Sequence, residues 1–165
     1  MIVVSNTSPL TNLAAIGRFD LLHTLYGELH IAVGVWQELN AFGQSWPGSH
    51  ETAVAHWITQ HTVQNRHMVS VLQRDLDLGE AETIALAVAL SADLILLDER
   101  DGRHAASRLG LPVAGTLGVL LAAKHKRVIS EVHSDLIALK TKAGFYISQK
   151  VIDQVLQLAG ETQPD

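Results

Sequence analysis

GEAETIALAVALSADLILLDER, residues 79–100, decides the fold. Gly79 to Leu90 is rich in alanine and leucine, with no proline and no internal glycine, and reads as a helix. Leu94 to Leu97 is a run of four apolar residues that reads as a buried strand. A helix feeding a buried strand is the repeating unit of a parallel sheet. Acids stand at both ends: Glu80 and Glu82 where the helix opens, Asp98 and Glu99 where the strand stops. In open α/β sheets ligands gather at the carboxyl ends of strands, so this stretch reads as half of a site.

The same alternation extends in both directions. Ile2 to Ser5 is a first strand, and Ser5, Asn6, Thr7 and Ser8 supply cap chemistry before Pro9 in a first helical turn. Helices then close at Gly17 and Gly27, followed by a second strand, Leu29 to Val33. The run VGVWQELNAFG, 33–43, reads as a helix with Val35, Leu39 and Phe42 on one side, and Gln44 to Gly48 as a turn. Ser49 caps a helix through Ile58, Thr62 to Gln64 forms a short third strand, and Arg66 to Leu78 is a loop with helical turns. Beyond the central stretch come a helix Arg103 to Leu109, a strand Leu111 to Ala114, a helix opened by Gly115-Thr116, a helix Ser130 to Ala143, and a last helix capped by Ser148. The expected architecture is three-layer α/β/α, a short, mainly parallel sheet covered by helices on both faces. At 165 residues the chain fits one domain, with the helices of about 130–160 packed on it.

Bulk composition narrows the function. Apolar residues make up 47% of the chain, so it has a core to bury. A net charge of −5 is not the footprint of a protein that grips nucleic acid by bulk charge, although a bound metal ion would offset local acidity. The absence of cysteine rules out disulfides, thiolate zinc sites and a cysteine nucleophile, and fits a reducing cytoplasm. MIVVSNTSPL lacks the basic start of a signal peptide, and the longest apolar stretch, 81–97, is broken by Ser91 and Asp93, so no membrane span is expected.

The polar residues expected at strand ends and helix starts are Asn6, Glu38, Glu80, Glu82, Asp98, Glu99, Asp101 and Thr116. Oxygen donors of this kind suit Mg²⁺ or Mn²⁺, ions that support phosphodiester hydrolysis. Taken singly, each acid is more simply a helix cap or a solvated surface group. Asp98 stands out because it ends an apolar run, where a carboxylate is costly to bury. Glu80 and Glu82 do not share a helix face. Glu82 falls with Ala85, Leu86 and Ala89 on the packing face and is the expected ligand; Glu80 is then a capping or supporting residue. Glu99 and Asp101 are assigned the same supporting role. Arg100, Arg103, His104 and Arg108 follow Asp98 closely enough to hold phosphates, though a solvated helix face explains Arg108 as well. His56, His61 and His67 are not spaced for one helix face, no HExxH occurs, and neither a phosphate loop nor a GxSxG elbow is present.

VVSNTSPL at 3–10, VWQEL at 35–39, GEAETIALA at 79–87, LLDER at 96–100, GTLGVLL at 115–121 and AGFYIS at 143–148 resemble, in order and spacing, the PIN-domain nucleases. The branch they are most similar to is that of short prokaryotic PIN-like proteins predicted to bind nucleic acid. That resemblance implies metal-dependent cleavage of single-stranded RNA. It places the family's acids on Asn6, Glu38, Glu82 and Asp98, with Thr116 a further contact, and Glu38, Glu82 and Asp98 as the Mg²⁺ or Mn²⁺ ligands. It also implies a toxin of a toxin–antitoxin pair, a small antitoxin partner and a homodimer, for which the apolar helices 19–26 and 36–42, with Trp46, would offer a surface. Asn6 departs from the pattern: an amide can ligate but adds no charge. Weakened activity is one expectation; a catalytically degenerate module that binds nucleic acid or protein is the alternative.

Overall fold

The computed structural model describes residues 1–41 and 45–161. Among these, five strands form one all-parallel sheet in the order β3-β2-β1-β4-β5. They are β1 (Val3–Ser5), β2 (Leu29–Ala32), β3 (Ile58–His61), β4 (Leu94–Leu96) and β5 (Val113–Ala114). The chain steps outward from β1 to β2 and β3, then returns to place β4 on the other side of β1. The order therefore reverses between β1 and β4, and a crevice opens at their carboxyl ends. Asn6 and Asp98 follow those two strands, and the Asn6 N–H donates to the Leu96 carbonyl at 3.0 Å.

Residues alternate across the sheet, as the period of two requires. Val3, Leu29, Ile31 and Leu96 join one apolar cluster with α1 (Thr7–Ala15), α2 (Asp20–Tyr26), α3 (Val33–Asn40), α8 (Thr116–His125), α9 (His133–Thr141) and α10 (Gln149–Leu158). Val4, Ala32, Ile95 and Leu97 join a second with α5 (Arg66–Leu72), α6 (Leu78–Ala89) and α7 (Arg100–Arg108). The three-layer architecture expected from the sequence is thus present. Every residue of α6 from Gly79 to Ala87 is buried, which accounts for its small apolar composition. The apolar faces of α2 and α3 are spent on the core: Leu21, Leu22, Leu25 and Leu39 are buried there. Among the described residues, no helix is long and apolar enough to cross a membrane.

Several element boundaries differ from expectation. The third strand is Ile58–His61, not 62–64, and the helix before it, α4 (Ser49–Val54), stops four residues early. The chain leaves the helix at Ala55, and Trp57 stacks on His23 at 5.0 Å and packs against Phe19 at 5.5 Å. Arg66–Leu72 is a true helix, its start capped by the Asn65 side chain. Helix α7 begins at Arg100 rather than Arg103. Helix α9 begins at His133 rather than Ser130, because the Glu161 carboxylate accepts the Val132 and His133 N–H groups. Phe42 and Gln44, read as helix and turn, lie outside the described residues.

At the sheet edge, His30 Nδ1 and His61 Nε2 lie 2.9 Å apart. Burial, and then the neighbouring His30, hold His61 below its ordinary pKa. The unfolded chain therefore takes up this proton more readily, and stability falls as pH drops below about 6.5. Thermal melts at pH 7 and pH 5.5 should show a smaller acid loss for His61→Gln than for the natural chain.

Candidate active site

Capping chemistry builds the centre of the site. Asp77 precedes α6 and accepts the Glu80 N–H at 2.8 Å, while Glu80 Oε2 accepts the Asp77 N–H at 3.1 Å. This reciprocal pair is a capping box. It fixes both carboxyls at the helix start, beside the carboxyl end of β1. Thr83, fully buried one turn later, donates to the Gly79 carbonyl at 2.6 Å and to Asn6 Oδ1 at 3.3 Å. Asn6 is itself buried and does not use its side chain to cap α1.

Three oxygens converge over Gly79. A Cβ placed on that glycine would stand 2.6 Å from Glu38 Oε2, 3.5 Å from Asn6 Oδ1 and 3.6 Å from Asp77 Oδ1. Thr7 Oγ1 donates to the same Glu38 oxygen at 2.9 Å. Further acids surround this cradle. Burial pushes the Glu38 carboxyl above the usual range, Thr7 works against that shift, and the charges of Asp77 and Glu99 add to it. Burial likewise raises Glu80, opposed by its bond to Asp77 and reinforced by the charges of Asp77, Glu99 and Asp101. Glu99 is exposed and accepts from Ser8 Oγ at 3.2 Å. The result is a cleft whose acids repel one another.

Glu82 and Asp98 are placed differently. Glu82 is buried, its Oε2 accepting the Gly34 N–H at 2.8 Å at the start of α3. Its Oε1 pairs with Arg66 Nη1 at 2.9 Å. Asp98 Oδ1 accepts the Thr116 N–H at 2.7 Å, and its Oδ2 accepts Thr116 Oγ1 at 2.7 Å and Asn12 Nδ2 at 3.1 Å. Thr116, expected to contact substrate, is fully buried with both donors on Asp98. Arg100 and Arg103 line a pocket next to Asp98, and Asp101 and Arg108 line a separate groove between α5 and α7. The structure thus brings Asn6, Glu38, Glu80 and Glu99 to one acidic side, where each of the three acids accepts a hydrogen bond on one oxygen, whereas both oxygens of Glu82 and of Asp98 are taken by donors; Asp101 reaches Glu80 through its charge.

Asp77, Thr83, Asn12 and Arg66 carry no role in the sequence reading, and Thr7 only that of a helix cap. The signal for Asp77 was available: Asp-x-x-Glu before an apolar run is a capping box. Reading 66–78 as a loop hid it.

A parallel three-layer fold with an acidic cleft at its switch point defines an α/β/α protein of nuclease-like fold. A family model for the PIN domain matches residues 2–161, and the chain belongs to the PIN-domain family. No curated protein sequence matches it. PIN domains generally depend on a divalent metal. The donors over Gly79 are all oxygens, the set that hard cations such as Mg²⁺ and Mn²⁺ prefer, and among the described residues no ion pair involves Glu38 or Glu80. As the side chains stand, no three Asp, Glu or His among the described residues are close enough to grip one ion. Glu38 and Glu99 are surface residues whose carboxyls accept only from the Thr7 and Ser8 hydroxyls, partners that water or an ion can replace. In chemical type the residues fit the ion.

The cradle makes one substitution diagnostic. Gly79→Ala would set a methyl against the movable end of Glu38 while favouring the helix by up to about 1 kcal/mol. The expected outcome is an undiminished melting temperature with Mn²⁺ affinity lowered about tenfold, as for a disturbed ligand shell. Calorimetric titration checks it; unchanged affinity would count against the cradle.

Proposed function

We propose that the chain is a divalent-metal-dependent ribonuclease acting on single-stranded RNA, with activity weakened by Asn6. The observation that carries this reading is the convergence of Glu38, Asp77 and Asn6 oxygens over Gly79, within charge reach of Glu80 and Glu99. Glu38, Asp77, Glu80 and Glu99 would hold Mg²⁺ or Mn²⁺, with Asp101 adding charge behind them. The ion, when bound, supplies charge to the transferring phosphoryl group and acidifies a water. Asn6 positions a water or substrate atom at the cradle floor without adding charge. Arg100 and Arg103 take RNA phosphates on the far side of Asp98. In this reading Glu80 replaces Glu82 as ligand, because Glu82 is bonded to Gly34 and Arg66. Asp98 and Thr116 shape the site by holding the start of α8 against β4.

The PIN-family resemblance extends the proposal to a cytoplasmic toxin, inhibited by a small antitoxin whose peptide covers the cleft, acting as a homodimer. Its dimer surface would not be the stripes of α2 and α3, which the core consumes. A second reading is a non-catalytic module that binds nucleic acid or a protein partner. It is favoured by the amide at Asn6 and by the bonded state of Glu82 and Asp98.

Cleavage of a labelled single-stranded RNA with Mn²⁺ tests the choice. The expected result is slow cleavage by the natural chain, abolished by EDTA, and accelerated about tenfold or more by Asn6→Asp, which restores one charge near the ion. RNA binding without cleavage by either form would favour the binding module.

A further inference from the structure

A pocket lies on the basic side of Asp98. Arg100, Arg103 and His104 enter it from α7, at the spacing that puts three residues on one helix face. Gly115 and Leu117 from the start of α8, and Phe145 from the segment 144–148, complete it. Its volume is about 370 Å³, within the range of about 300–1,000 Å³ typical of small-ligand sites. Among the described residues, the only acid lining it is Asp98, whose two oxygens are engaged by Thr116 and Asn12. Gly115 keeps it open: a Cβ there would stand 2.7 Å from both Arg103 Nη1 and Asp98 Oδ1. The pocket thus combines guanidinium groups with an aromatic and an aliphatic side chain. Tyr146, 88% exposed, follows Phe145 directly. Charge alternates along this turn of chain: Glu99 and Asp101 act on the acidic cleft, and Arg100 lines the pocket.

Cations beside an aromatic face are what an unpaired nucleotide requires, phosphate on the one and base on the other. A base inside a duplex has no free face to offer. We propose that this pocket seats one unpaired nucleotide of an RNA strand, its phosphate on Arg100 and Arg103 and its base against Phe145 and Leu117. This assignment rests on the ribonuclease reading and gives it a reason for preferring single strands.

The test is fluorescence anisotropy with a short labelled oligouridylate in EDTA, where nothing is cleaved. Arg100→Gln and Phe145→Leu should each weaken binding about tenfold, the scale of one stacked base or one phosphate contact. Arg100→Gln should also flatten the salt dependence by about 0.7 in slope. An RNA duplex should bind more weakly and be insensitive to Phe145→Leu. Arg100 is exposed, so its replacement leaves the core intact, and melting curves check Phe145→Leu. Unchanged single-strand binding in both variants, or a duplex that competes equally well, would overturn the proposal. Binding in EDTA is separate from cleavage. A chain that binds in this pattern and never cleaves keeps the pocket and loses the ribonuclease; one that cleaves with binding indifferent to both residues does the reverse.

Discussion

Asp98→Ala is expected to lower the melting temperature by about 10 °C. Thr116 is the first residue of α8, where backbone N–H groups have no partner within the helix. Its N–H and its hydroxyl both donate to Asp98, and Thr116 is fully buried, so both donors lose their acceptor. The Asn12 amide bond, which ties α1 to the same place, goes as well. Each buried donor left unmet costs about 1–3 kcal/mol, and the helix also loses an anion at its positive end. These terms share one group and do not add; a total of about 3–5 kcal/mol is reasonable for a broken buried network. At about 2–4 °C per kcal/mol for a chain of this size, that is the stated shift. Circular dichroism melts check it, with Asp98→Asn expected to recover part of the loss by keeping an acceptor. A melting temperature within about 2 °C of the natural chain would mean that Asp98 does not hold α8. It follows that lost cleavage in Asp98→Ala would not by itself mark Asp98 as a metal ligand.

The second large effect separates Glu80 from Glu82. Glu80→Gln keeps an acceptor for the Asp77 N–H and should leave the melting curve in place. It removes one charge facing the ion, worth several kcal/mol at an effective dielectric of about 20, so Mn²⁺-dependent cleavage should fall by about a hundredfold or more. Glu82→Ala should behave in the opposite way. It strands the buried Gly34 N–H and breaks the Arg66 pair, for about 2–3 kcal/mol of stability. Arg66 is largely exposed and returns to water, which keeps the cost below that of a fully buried pair. Cleavage rates and melting curves measured on both variants decide the matter. Loss of cleavage in a stable Glu82→Ala, with Glu80→Gln fully active, would restore the assignment read from helix faces.

Those helix faces show how far the sequence could be read. The parallel sheet was legible because β1 and β4 are buried on both faces and are written as apolar runs, while in β2 only His30 interrupts Leu29, Ile31 and Ala32. Helix α6 was legible because it is buried all round. The third strand was not: ITQH is half-exposed at the sheet edge and takes its strand form from pairing with β2, a tertiary cause. The acidic edge was expected, and Glu82 does point inward as its face suggested. What its carboxylate meets there, Gly34 and Arg66, lies 48 and 16 residues away, and the donors on Asp98 lie 18 and 86 away. No local spacing encodes those partners. Asp77 could have been found, since its capping box is local, but it lies just outside the stretch that reads most clearly as helix.

The most direct measurement is the anomalous difference density of crystals soaked in Mn²⁺. One principal peak is expected in the cleft over Gly79, ligated by Glu38 and Glu80 with Asp77 or Glu99, and the Glu82–Arg66 pair unbroken. A peak held by Glu82 and Asp98, with Arg66 and Thr116 displaced and Glu80 left as a cap, would contradict it.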